Sequence, residues 1–435
     1  MTTLNDPELP VGDGGLPEKP NLRLGIIPLC DCATIVAAST MGFFKRHGLD
    51  VEICKEQAWA TIRDKVAVGL LDGAHMLAPM PIAATLGVGG VRCPMVTSMS
   101  LNLNGNAITV SNSLAAEMME GDSGYPGALS SPSASAEALH AIVCRRRAEN
   151  RPPITFGMVF PVSTHNYELR YWMASAGIDP DKDVRLIVVP PPQMVEHLAQ
   201  ERIDGYCVGE PWNGMAVSLG IGRIVITKYD LWQNGPEKVL GVTRQWAQEH
   251  PNTHRALVRA LLEAAQWVDQ SIHRSKVADM ISATPYVNAP PDIVRWSMTG
   301  SLPMSIDHEP IRMPDFHVFH RYAATFPWRS HAVWLTTQMI RWRQVDADVD
   351  LSSVASDVYQ PAVYRAAAAD LGMAAPTGDF KTEGTHDDAW SLNGTTAAIR
   401  MGPDHFFDGM SFNPHRPMDY LRQFIVGQAP ATGRA

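Results

Sequence analysis

The chain has 435 residues, too many for one ordinary core and suited to two or three packed units. Hydrophobic residues at 45% and charged residues at 19% give a globular composition and exclude wholesale disorder. A formal net charge of -9 argues against a general phosphate-binding surface, so no direct contact with nucleic acid is expected.

The chain opens with MTTLNDPELPVGDGGLPEK, whose acidic residues, prolines and glycines cannot form the apolar helix of an export signal. Residues 1–20 are therefore read as a polar tail without a signal peptide. No later window offers about 18 uninterrupted apolar residues, so no membrane span is expected. The location expected from these two features is cytoplasmic.

Leu22–Leu29 reads as a strand and Ala33–Gly48 as a helix with a Gly stop, followed by a strand over Leu49–Glu56. A helix begins near Trp59, and AHMLAPMPIAATLGVGG supplies another strand and helix. PMVTSMSLNLNGNAITVS reads as two strands leading toward a second lobe. Gly121–Pro132 is loop-like, and Arg145-Arg146-Arg147 reads as a solvated helix end. Strand and helix then alternate again: ITFGMVF, STHNYELRYWMASAG, VRLIVVP, PQMVEHLAQERIDG and GYCVGEPW. Ser163 or Thr164 is the expected N-cap of the first of these helices.

KVLGVTRQW is a return strand, and the chain is mainly helical from there to about Gly372. Beyond it, a Gly-, Thr-, Asp- and Pro-rich stretch reads as an extended or partner-dependent tail. Alternating strands and helices predict an α/β fold of two similar halves facing a cleft. The expected units are residues 21–112 plus 228–372 as lobe 1, 113–227 as lobe 2, and 373–435 as the tail.

Four stretches carry a polar or aromatic group that a fold rarely needs at that place. Trp59, at a helix start, can wall an anion pocket with its indole N–H, or simply cap a core. Asn104-Gly105-Asn106 interrupts a β-prone run, as a hairpin turn or a close backbone approach would. His165 falls in the first turn of a helix, where it can face an anion or serve as a capping or surface residue. Lys238, in GPEKVLG, precedes the return strand and is a plain solvated lysine unless other groups join it.

Reaction signatures are weak. There is no G-x-S-x-G elbow, H-E-x-x-H, P-loop or G-x-G-x-x-G. Glu210 is an acid near a strand end and reads as structural. The six cysteines show no C-x-x-C pair; Cys30 and Cys32 form C-x-C and read as buried apolar residues. No cofactor, metal or enzymatic role is expected.

The stretches GFFKRHGLDVE, QAWATIRDK, LDGAHMLAPMPIA, LNLNGNAI, THNYELRYWMASAGIDPDKD, VVPPPQMV, CVGEPW and GPEKVLGV resemble, in order, the nitrate/bicarbonate group of ABC-transporter solute-binding proteins. The resemblance runs from about Leu22 to Trp342. It implies a two-lobed, type II periplasmic-binding-protein-like α/β fold with a ligand cleft between the lobes. It also implies a nitrate or nitrite pocket at Trp59, Asn106, His165 and Lys238, with backbone or packing contacts from Pro191 and Val208. The bicarbonate branch carries an acidic residue where this chain has Lys238. Without an export signal, the chain most resembles a cytoplasmic nitrate/nitrite-sensor branch. That branch sequesters an ANTAR-type RNA-binding antiterminator and releases it on ligand binding, to control nitrate-assimilation genes. The alternative is the substrate-binding component of an ABC transporter for nitrate or a related anion. An enzyme on the same fold, of the kind that makes thiamin pyrimidine precursors, would need Cys30 and Cys32 to join His47 or His75 around iron.

Overall fold

The computed structural model describes residues 8–120, 129 and 131–427. Most of the loop expected over Gly121–Pro132, residues 1–7 of the N-terminal tail and the chain beyond residue 427 lie outside the described residues. Strands β1 (Asn21–Ile26), β2 (Asp50–Lys55), β3 (Gly73–Leu77) and β4 (Met95–Asn104) alternate with helices Ala33–Thr40, Trp59–Ala67 and Met80–Leu86. Strands β5 (Asn106–Ser111), β6 (Thr155–Met158), β7 (Arg185–Val188), β8 (Gly205–Gly209) and β9 (Gly222–Thr227) form a second sheet. Strand β10 (Pro236–Thr243) then returns to the first.

The first sheet runs in the order His317–Val318, β4, β10, β3, β1, β2, and the second in the order β7, β6, β8, β5, β9. Pairs β1–β2, β1–β3, β6–β7 and β6–β8 are parallel, as helical crossovers require. The two strands that cross from the other half, β5 and β10, run antiparallel to both of their neighbours. A strand arriving straight from the opposite sheet comes in at the far end, so this direction follows from the connection. The result is the two-lobed α/β architecture.

The boundary between the sheets lies earlier than expected. It falls at Gly105, not at residue 112, because β5 already belongs to the second sheet. Asn104 has φ 59° and Gly105 φ 92°, both left-handed. A Cβ on Gly105 would stand 2.3 Å from His317 Cε1, so this is a close backbone approach and not a hairpin turn. The chain crosses back between Thr227 and Pro236.

Helix Pro251–Asp269 packs its apolar stripe of Leu257, Leu261, Ala264 and Val268 against helices Ala33–Thr40 and Pro361–Asp370. Its N-terminus has no side-chain cap of its own. Glu18 supplies one: its carboxylate accepts from Asn252 N at 2.9 Å and Thr253 N at 2.8 Å. The described part of the N-terminal segment is thereby fastened to the body. Arg145–Arg147 do close a helix, Pro132–Ala148, and two of them pair with Glu117 at 3.1 Å.

Residues 373–427, expected as an extended or partner-dependent tail, pack on the body of the same chain. They carry little regular structure, but Phe406, Phe412, Tyr420 and Phe424 are buried in the body of the same chain. Phe406 stacks on Trp232, with centroids 4.6 Å apart, and faces Tyr171 of the second half at 6.3 Å. Tyr171 Oη donates to Asp408 Oδ2 at 2.8 Å. Spaced aromatic anchors hold this stretch, although its composition is that of a loop. No helix among the described residues is long and apolar enough to cross a membrane.

Candidate functional site

Four of the expected residues converge between the two sheets. Trp59 is the first residue of its helix, as read from sequence, and its indole ring lies 5.6 Å from Lys238 Nζ. Asn106 opens β5 immediately after the first crossing. Ser163 is the N-cap of helix Thr164–Ser175, its hydroxyl accepting from Asn166 N at 3.0 Å. That leaves Thr164 and His165 in the first turn, facing the cleft. Lys238 stands on β10. All four predicted residues are buried.

The residue at the centre is one the sequence reading passed over. Glu237 Oε2 accepts from Asn106 Nδ2 at 3.1 Å, Thr164 Oγ1 at 2.6 Å and Lys228 Nζ at 2.8 Å. Its Oε1 accepts from Lys238 Nζ and lies 3.2 Å from His165 Nε2, off the hydrogen-bonding direction. Lys238 Nζ is also 2.7 Å from Asp31 Oδ2. Asn102 Nδ2 donates to Asp31 Oδ1 at 3.0 Å, and Lys228 Nζ donates to Glu168 Oε1 at 2.5 Å. Lys238 is thus paired with two carboxylates and is buried, not a plain solvated lysine.

Burial pushes every charged group here toward neutrality, and the pairs oppose it. Burial raises Glu237, but the Lys228 and Lys238 ammonium groups win and hold it well below the usual carboxylate range. Burial raises Asp31 and Glu168, and their lysine partners only partly reverse this. Both lysines stay protonated, since Asp31, Glu168 and Glu237 outweigh burial. Burial lowers His165 to about 3, and the nearby lysines add to this against Glu237. The imidazole is neutral, with one N–H to donate. His75, edge-on to Trp59 at 5.4 Å, is lowered in the same way.

Pro191 and Val208 are less involved. Val208 is buried on β8, and its carbonyl accepts from Asn213 Nδ2 at 2.8 Å. Pro191 opens a short 3-10 turn in which its carbonyl receives Met194 N. Both carbonyls are used inside the fold. Glu210 is structural: its carboxylate accepts from Gly214 N at 3.0 Å, and burial raises it to about 7. Cys30 lies 3.4 Å from Ser297 Oγ, His47 pairs with Glu263 at 2.5 Å and His75 packs against Trp59 at 5.4 Å, so neither version of the candidate iron set is assembled. Among the described residues no group of three or more His, Cys, Asp or Glu is arranged to hold a metal ion.

Some of the missed residues had a signal. Glu168 follows Thr164 by four positions on one helix, so the two share a face. Glu237 adjoins Lys238, but strand alternation sends neighbours to opposite faces. Register shifts between β10 and β4 around Lys238 override that rule and bring both side chains to the cleft. Asp31 and Lys228 left no signal, because nothing in CDC or TKYD marks a cleft residue.

The sequence pattern of the NMT1-like family matches residues 15–282. The chain is 37% identical over 418 residues to the nitrate import ATP-binding protein NrtC of Synechocystis sp., covering 96% of this chain and 57% of that protein. It therefore spans little more than half the length of that relative. It is 32% identical to the nitrate/nitrite binding protein NrtA of Nostoc sp., covering 94% of this chain and 86% of that protein. The crystal structure of the periplasmic nitrate-binding protein NrtA from Synechocystis PCC 6803 superposes with a TM-score of 0.82 at 29% identity, over 95% of this chain and all of that one.

Proposed function

We propose, from the premise that the chain belongs to the NMT1-like family, that it binds a small, flat, monovalent oxyanion of the nitrate or nitrite kind between its two sheets. Its role would be that of the solute-binding component of an anion-import system. One observation carries the reading. Trp59 Nε1 and the ring nitrogens of His75 and His165 are buried around Lys238 without hydrogen-bond partners among the described residues. A buried donor left unpaired costs about 1–3 kcal/mol, so a cleft with several such donors suits a ligand that accepts hydrogen bonds. Nitrate is weakly hydrated and carries one charge spread over three oxygens. Several modest donors suit it better than one strong clamp.

Two helices, Trp59–Ala67 and Thr164–Ser175, present their N-terminal ends to the same place and add positive potential. The thiols of Cys30, Cys32 and Cys207 are all pushed up by burial and stay protonated, so none offers a nucleophile. Binding, not turnover, is the chemistry these groups support. The relatives named for nitrate and nitrite binding support the ligand class.

Isothermal titration with nitrate, nitrite and bicarbonate tests the reading, alongside Trp59→Phe, which keeps the ring packing and deletes the indole donor. Saturable nitrate or nitrite binding, weakened about tenfold or more in the variant, is expected for a lost hydrogen bond to a charged ligand. No binding of any of the three, or equal affinity in both proteins, would sink it.

A second reading places the same pocket in a regulatory chain: a cytoplasmic nitrate/nitrite sensor that sequesters an ANTAR-type RNA-binding antiterminator until ligand arrives. It uses the same buried donors around Lys238 as its input. Co-purification with such an antiterminator, lost on adding nitrate, is the expected result; no complex under either condition would end this reading.

A further inference from the structure

Glu237 contacts Asn106 and Lys238 and lies 3.2 Å from His165, three of the residues proposed to hold the anion, and it does so across the domain boundary. Its backbone belongs to β10 of the first sheet. The donors on its Oε2 come from the second half: Asn106 on β5, Thr164 at the start of its helix, and Lys228 where β9 ends. A carboxylate is a flat, singly charged group with two acceptor oxygens, the shape of nitrite and of two-thirds of nitrate. The contacts that an external anion would make between the lobes are therefore already made by a side chain.

We propose that Glu237 is an internal anion: it holds the two halves together when no ligand is bound, and the external oxyanion competes with it for the same donors. The identity of that oxyanion rests on the binding function proposed above, whereas the lock rests only on the contacts of Glu237. The other charged and titratable groups facing it are balanced around it. Asp31 and Glu168 each take one lysine contact, His165 is neutral, and among the described residues Glu237 alone touches both Lys228 and Lys238. With Glu237 neutralised, Lys228 and Lys238 lose the contact they share, and the cleft gains one net positive charge for an arriving anion.

Small-angle scattering of the full chain tests this directly, on the wild type and Glu237→Ala, each without added anion and with sodium formate, nitrate, nitrite or bicarbonate. The wild type is expected to stay compact throughout. The alanine variant is expected to have a larger radius of gyration that returns to the wild-type value with formate, which replaces the missing carboxylate. A variant as compact as the wild type without anion, or one that formate does not close, overturns the proposal. Closure by formate with no response to nitrate, nitrite or bicarbonate upholds the lock and instead refutes the ligand reading. The isosteric Glu237→Gln guards against misfolding of the alanine variant. Its nitrate affinity is expected to exceed that of the wild type by about tenfold or more, because a repelling charge in contact with the ligand is gone. Equal or weaker nitrate binding in Glu237→Gln would refute the competition.

Discussion

Replacing Lys238 with Met should destabilise the fold by about 3–5 kcal/mol at pH 8, the usual result of removing one partner from a buried ion pair. Lys238 Nζ lies 2.7 Å from Asp31 Oδ2 and donates to Glu237 Oε1, with all three side chains fully buried. Glu237 keeps Lys228 at 2.8 Å, so the charge left without a cation is that of Asp31, with Asn102 at 3.0 Å and the neutral His317 ring at 3.8 Å. Burial already raises Asp31 from 3.8 to about 6, against the pull of Lys238. An acid whose folded pKa exceeds its unfolded one binds more protons when folded, so its contribution to stability falls as pH rises through that interval. Without Lys238 the folded value climbs further. At pH 5.5 a proton on Asp31 then relieves the substitution, and at pH 8 the full penalty applies. Adding Asp31→Asn removes the orphaned charge and should recover roughly 1–3 kcal/mol as coupling between the two sites. Urea unfolding followed by tryptophan fluorescence at both pH values gives all of these quantities. A Lys238→Met protein within about 1 kcal/mol of wild type at pH 8, the range of an exposed pair, would refute the reasoning, as would strict additivity in the double variant.

Gly105→Ala should lower the melting temperature clearly, since a left-handed φ costs about 1–2 kcal/mol and a Cβ 2.3 Å from His317 adds overpacking of about 1–3 kcal/mol. An unchanged melting temperature would mean that the crossing has room. Phe406→Ala should cost about 3–5 kcal/mol and speed proteolysis within residues 373–427, because the ring fastens that stretch to Trp232 and Tyr171. An unaltered digestion pattern would show that other anchors hold it.

The alternation of strands and helices was legible because each element carries its own period and its own stop. The convergence of Trp59, Asn106 and His165 between the sheets was legible in part, because each sits at an element start, where a polar group or an amide has no obvious packing role. Glu237 was not legible, since its direction depends on irregular pairing between β10 and β4, a property of two segments more than 130 residues apart. The first crossing was visible as Asn-Gly-Asn, yet turn and close approach look the same until the sheets are assigned. Residues 373–427 were misread because loop-like composition hides four aromatic residues whose partners are distant in sequence.

Two ammonium groups cannot stay buried in a cleft with their charge uncompensated. A counter-charge must be present in every state of ligation, so a cleft that uses Lys228 and Lys238 to hold an anion needs an acid when the anion is absent. Asp31 and Glu168 take one lysine each, but neither spans the two halves as Glu237 does. Binding at such a site is an exchange of one anion for another, and its free energy is a difference between two similar terms. An anion with no proton to donate meets a repelling carboxylate unless Glu237 moves away. Under the proposed function, the acid one residue before Lys238 would govern the ligand as directly as the lysine does, and ligand preference could not be read from Lys238 alone.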